Sequence, residues 1–89
     1  MELYDRERQL TYKIENSTVL IRYANRTIAD CEIIQDMTDC GTQYINFKGP
    51  NSLMEAIEIE HDQIVHIRVM KDKNSFFGTK SLQTILEKD

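Results

Sequence analysis

Four side chains of this chain could ligate a metal: Cys31, Cys40, His61 and His66. The spacing from His61 to His66 is compatible with zinc, but Cys31 and Cys40 are too far apart for a Cys-x2–4-Cys knuckle. Cys31 also falls on the inward face of its segment, where a small buried hydrophobe belongs. His61 and Asp62 are adjacent, yet neighbours on a turn do not face each other, and no nucleophile can be assigned to them. Cys40 precedes Gly41 in a turn, without a basic neighbour to activate its thiol. The chain has no Gly-rich phosphate loop, no Gly-x-Ser-x-Gly and no two-His metal helix. The expectation is a protein that is not an enzyme, with no catalytic residue, no cofactor and no metal site.

Charge carries more information. The net charge is −4, but it is unevenly spread. Between Asp30 and Asp62 stand eight acids and one base, Lys48, whereas the flanking stretches are weakly basic. An acidic middle argues against general binding to a nucleic-acid backbone, which needs clustered Lys and Arg. It favours a protein partner with a basic surface. The alternating pattern points Asp30 and Glu32 outward on one strand and Glu58 and Glu60 outward on another. These four form the candidate acidic wall. A second candidate surface is Phe76-Phe77, followed by an amphipathic stretch over 81–88. It either closes one end of the core or meets a partner or a second copy. The alternative is a nucleic-acid binder, in which Tyr12, Tyr23, Tyr44 and Phe47 stack bases and Arg22, Arg26 and Lys48 touch phosphates.

The elements that must position these groups read mostly as strands. Residues 55–70 set the pattern. Ile57 and Ile59 alternate with Glu58 and Glu60; His61, Asp62 and Gln63 interrupt; Val65, Ile67 and Val69 then alternate with His66 and Arg68. Three polar residues fit a tight turn and not a crossover. Ile64, just after the break, suits a plug for one barrel end. Upstream, Val19, Ile21 and Tyr23 share a face, and Ala24-Asn25-Arg26 makes a turn. A longer strand follows over 27–37, with a bulge or bend at Ile33-Ile34. Thr38 to Gly41 turns the chain, and 42–48 forms a further strand. Gly49-Pro50-Asn51-Ser52 is the clearest loop. Residues 1–14 are ambiguous: Leu3, Leu10 and Ile14 fit a helical face, while Leu10, Tyr12 and Ile14 alternate. The expectation is a short helix to about Gln9 and an extended stretch after it. Residues 81–88 read as a second short helix, with Leu82, Ile85 and Leu86 on one face.

Eighty-nine residues make one domain with one modest core. A composition of 40% hydrophobic and 29% charged residues is that of a folded, soluble chain. There is no apolar run long enough to span a bilayer and no apolar stretch of a secretory signal at the N-terminus. The expected setting is therefore cytoplasmic, with both cysteines as free thiols.

The apolar skeleton Val19, Ile21, Ile33, Ile45, Phe47, Ile57, Ile59, Ile64, Val65 and Ile67 resembles that of Sm-like barrels, and more loosely that of the YolD-like family of small bacterial proteins. The resemblance spans about 18–70. It implies a mainly β fold: a five-stranded antiparallel barrel over 18–70, an N-terminal segment 1–14 and a C-terminal helix at 81–88. The strand-two glycines of Sm proteins are replaced here by Ala29, Asp30 and Cys31, and their RNA-contacting signatures have no counterpart, so no RNA-binding residue carries over. The functional expectation is a barrel that binds and regulates another protein through Asp30, Glu32, Glu58 and Glu60, with Phe76 and Phe77 as a further contact. The alternative is an Sm-like nucleic-acid binder, as a monomer or an oligomer, using Arg22, Arg26, Lys48 and Tyr44. A phage or plasmid accessory protein with a narrow host target is a third reading.

Overall fold

The computed structural model describes residues 1–69. They form seven strands: β1 (Glu2–Asp5), β2 (Leu10–Glu15), β3 (Thr18–Tyr23), β4 (Arg26–Asp39), β5 (Thr42–Lys48), β6 (Met54–Glu60) and β7 (Gln63–Val69). Each pairs antiparallel with the next, so the order in the sheet is the order in the chain. The sheet curls until β1 and β7 approach each other without a hydrogen-bonded ladder between them. With seven strands in an up-and-down order, β1 and β7 run in the same direction at this seam. The result is a nearly closed β-barrel.

Alternation builds the interior. Leu10, Tyr12 and Ile14 of β2, Val19 and Ile21 of β3, Ala29 and Cys31 of β4, Ile45 and Phe47 of β5, and Ile57 and Ile59 of β6 all point inward and are buried. Tyr12 and Phe47 meet edge to face, with ring centroids 6.0 Å apart. The pairing slips at three places, leaving Ile28, Ile34 and Val65 as extra residues. Such bulges increase strand twist and let a small sheet turn back on itself. The expected bend at Ile33-Ile34 is one of them, lying between Ile33 and Gln35. The bulge also reverses which side chains of β4 face inward. Past it, Asp36 pairs with inward-facing Ile45 yet is exposed, so this part of the β4–β5 hairpin reaches beyond the packed interior.

Two-residue turns join several strands. Ala24-Asn25, Cys40-Gly41 and His61-Asp62 all have both residues at positive φ, the geometry whose twist matches that of a hairpin. The longer β5–β6 connection closes on itself through Gly49 N–H to the Leu53 carbonyl (2.8 Å) and Leu53 N–H to the Pro50 carbonyl (3.1 Å). Leu53 then drops into the barrel end and is buried.

Two sequence expectations are corrected here. Residues up to Gln9 are not helical: Glu2–Asp5 is a strand paired with β2 through Leu3↔Tyr12 and Asp5↔Leu10. The count of five strands becomes seven, because β1 and β2 join the sheet. No helix occurs among the described residues. The expected helix at 81–88 lies outside them. Ile64 pairs with Ile59 and packs, half-buried, against the core.

Candidate functional site

The barrel holds a charged cluster at one end. Asp5, at the close of β1, accepts the Glu7 and Arg8 N–H groups with Oδ1 (3.0 and 3.3 Å), which folds the β1–β2 turn back over the barrel. That places the Arg8 guanidinium inside. Its Nε donates to Asp5 Oδ2 at 2.8 Å, and Nη1 and Nη2 donate to Glu55 Oε2 and Oε1 at 2.9 and 3.1 Å. Nη2 also bonds the Tyr12 hydroxyl, which itself donates to Glu55 Oε1 at 3.2 Å. Glu55 is wholly buried at an inward position of β6. Burial works against the Arg8 charge, but Glu55, Tyr12 and Asp5 outweigh it and hold the guanidinium more firmly protonated than usual. The Tyr12 hydroxyl is raised above its ordinary value, first by burial and then by the charge of Glu55. Each member of the cluster has a partner within it, and together they plug the barrel end.

The outer face is ordered by register. Around the end carrying the β4–β5 and β6–β7 turns, the outward residues of β4 to β7 lie in rows. Met37, Tyr44, Glu58 and His66 form one row; Asp39, Thr42, Glu60 and Gln63 form the next. The Thr42 hydroxyl donates to Glu60 Oε2 at 2.9 Å; on the other side of the same hairpin, the Gln43 amide donates to Asp36 Oδ1 at 3.1 Å. Met37 is 48% exposed, and the bulge residues Ile34 and Val65 are 46% and 52% exposed. Apolar surface is thus set among the carboxylates of Asp36, Asp39, Glu58, Glu60 and Asp62.

The structure divides the candidate acidic wall in two. Glu58 and Glu60 belong to the rows just described. Asp30 and Glu32 point outward as expected, but Asp30 stands beside Leu20, and Glu32 between Thr18 and Lys48. Lys48 is four residues along β5 from Tyr44, roughly 13 Å. The four acids therefore do not form one patch. The nucleic-acid candidates are also separated. Arg22, Arg26 and Lys48 lie towards the end carrying the β3–β4 and β5–β6 turns, while Tyr44 lies towards the other. Tyr12 and Phe47 are buried, so these rings are occupied by the interior, and Tyr23 is half-buried against the core. Phe76 and Phe77 lie outside the described residues.

Both cysteines are free thiols, Cys31 buried and Cys40 exposed. The Cys31 thiol is pushed up to about 12, by burial first and then by the charges of Glu55 and Asp30. Among the described residues no group of three or more His, Cys, Asp or Glu gathers as a metal site, and no helix is long and apolar enough to cross a membrane.

The Arg8–Glu55 pairing was missed from sequence, since its members stand 47 positions apart. Tyr4 was also passed over, because β1 was expected to be helical; it is 56% exposed on the outer face. Comparison with protein-family models, with curated proteins and with solved structures finds no match to this chain.

Proposed function

We propose that this chain is a non-enzymatic barrel that acts by docking on another protein, through the acidic end of the β4–β7 face. The observation that carries this reading is the setting of exposed Met37 and half-exposed Tyr44 among Asp39, Glu58 and Glu60. Between Glu32 and Asp62 the only Lys or Arg is Lys48, and it lies towards the other end of β5. An apolar centre bordered on one side by carboxylates suits a partner that offers an aliphatic or aromatic anchor flanked by Lys and Arg. Nucleic acid suits it poorly, because its phosphates would meet like charge. Compared with the acidic wall read from sequence, the docking surface keeps Glu58 and Glu60, adds Met37, Tyr44 and Asp39, and leaves Asp30 and Glu32 out.

The test is amide chemical-shift mapping of the full chain with two probes, a short Lys/Arg-rich amphipathic peptide and a short single-stranded oligonucleotide. Saturable shifts from the peptide, confined to residues 36–46 and 57–66, are the expected result. Shifts caused by the oligonucleotide alone, centred on Arg26 and Lys48, would replace this reading with the nucleic-acid one.

A further inference from the structure

The two half-buried arginines of the barrel differ in what surrounds them. Arg8 is paired with Asp5, Glu55 and Tyr12. Arg22, on the outer face of β3, makes one long bond, from Nη2 to the Asn25 carbonyl at 3.3 Å, and no carboxylate of the described residues forms an ion pair with it. Arg22 lines a concavity of about 440 Å³ together with Glu2, Tyr4, Gln9, Thr11, Tyr23 and Asn25. The pairing Tyr4↔Thr11 and Thr11↔Arg22 sets an aromatic ring, a small hydroxyl and a guanidinium side by side on three adjacent strands. Thr11 is the low point, with the two larger side chains as walls. Glu2 lies on the same face as Tyr4, one step along β1. Two strand spacings and two residues of offset separate it from Arg22, roughly 12 Å between backbones.

These groups define a ligand by its parts. The exposed Tyr4 ring offers a stacking face to a flat heterocycle. Arg22 offers a forked donor to a phosphate. The Glu2 carboxylate accepts hydrogen bonds from amino or imino groups and repels an anion, so the two ends of the groove favour opposite ends of one molecule. Thr11 offers a polar contact between them, and Gln9 offers another beyond the Tyr4–Thr11–Arg22 row, on the side away from Glu2. A purine nucleoside monophosphate has these parts in this order: an amino-bearing ring edge, a stacking face, a hydroxylated sugar and a phosphate. We propose that the β1–β3 groove is a binding site for such a nucleotide, either free or as one unit of a single strand. This site uses a different face from the acidic docking surface and does not depend on it.

The experiment is chemical-shift titration of the full chain with guanosine monophosphate, adenosine monophosphate, guanosine and inorganic phosphate. Saturable shifts at Tyr4, Thr11 and Arg22 are expected with one or both nucleotides, and binding at least ten-fold weaker with nucleoside or phosphate alone. Tyr4→Ala and Arg22→Gln should each weaken nucleotide binding about ten-fold, while Tyr4→Phe retains it and Met37→Ala leaves it unchanged. Tyr4 stands on the outer face, so the Tyr4 variants test the site even if Arg22→Gln disturbs the adjoining turn; thermal melts check that each variant folds. A short purine single strand distinguishes the sources: tighter binding at the same residues assigns the nucleotide to a strand, and equal or weaker binding assigns it as free. Absence of saturable shifts at millimolar nucleotide, or shifts indifferent to Tyr4→Ala, overturns the proposal.

Discussion

Glu55 is the side chain with most at stake, because it has no exposure and, among the described residues, its carboxylate is met by Arg8 and the Tyr12 hydroxyl alone. A buried ion pair adds little over a well-packed apolar pair, but removing one partner strands the other's charge. Arg8→Met leaves the buried Glu55 carboxylate with only the Tyr12 hydroxyl among the described residues and should lower unfolding free energy by about 3 kcal/mol in urea denaturation. Arg8→Met combined with Glu55→Leu should recover most of that loss. A double variant no better than the single one would mean that the cluster orients the β1–β2 turn as well as neutralising charge. Cys31 gives a second prediction at this scale. Its folded value of about 12 lies above the ordinary thiol value of 9.0, so between these pH values the unfolded chain releases a proton that the folded barrel keeps. The stability this contributes is complete below pH 9 and is lost as pH rises towards 12, at up to ~1.4 kcal/mol per pH unit. Denaturation midpoints measured from pH 8 upward should fall, and should fall less steeply for Cys31→Ala from its own lower starting point.

At the scale of the element, close approach matters more than propensity. A Cβ on Gly49 would stand 2.7 Å from Cys31 Sγ and 3.2 Å from Leu53 Cδ2. Glycine at this position lets the β5–β6 loop press against β4 while its N–H holds the Leu53 carbonyl. Gly49→Ala should destabilise the barrel by about 1–3 kcal/mol through overpacking. The penalty should shrink in a Cys31→Ala background, and a double-mutant cycle measures that coupling. The elements also explain what could be read from the sequence. Strands β3 to β7 were legible because their inward positions are apolar and their turns carry Asn, Gly or Asp. Strand β1 was not, because its second inward residue is Asp5, a buried carboxylate whose role is to bond the Glu7 and Arg8 N–H groups. With that polar residue in the alternation, Leu3, Leu10 and Ile14 fitted a helical period equally well. The charged plug escaped for a related reason: Glu55 opens β6 at an inward position, and its partner comes from a turn distant in sequence.

Over the whole molecule, the up-and-down order sorts charge along the barrel. Alternate turns lie at the same end. The β1–β2, β3–β4 and β5–β6 turns therefore gather Arg6, Arg8, Arg22, Arg26 and Lys48 towards one end, where they outnumber Asp5, Glu7 and Glu55, and Arg68 reaches the same end as β7 finishes. The opposite end carries Glu15, Asp36, Asp39, Glu58, Glu60 and Asp62. The uneven charge seen along the sequence thus becomes a polarity in space, which the linear count did not convey because the middle of the chain includes Lys48, Asp30 and Glu32 as well. Against a basic surface such as the one proposed for the partner, a field of this kind would orient the barrel on approach and raise the rate of encounter more than the final affinity. Converting Glu58 and Glu60 to Lys removes two carboxylates next to Tyr44 and Thr42 and adds two opposite charges. The expected result, by stopped-flow with the Lys/Arg-rich peptide, is an association rate lowered at least ten-fold at low salt and nearly independent of ionic strength, with the dissociation rate changed less. Asp30→Lys with Glu32→Lys makes the same change in net charge away from the Met37 row, so it separates local from global electrostatics. If both pairs slow association equally, the partner senses total charge and the rows around Met37 do not direct it. If only the first pair does, the acidic end is the surface that meets the partner.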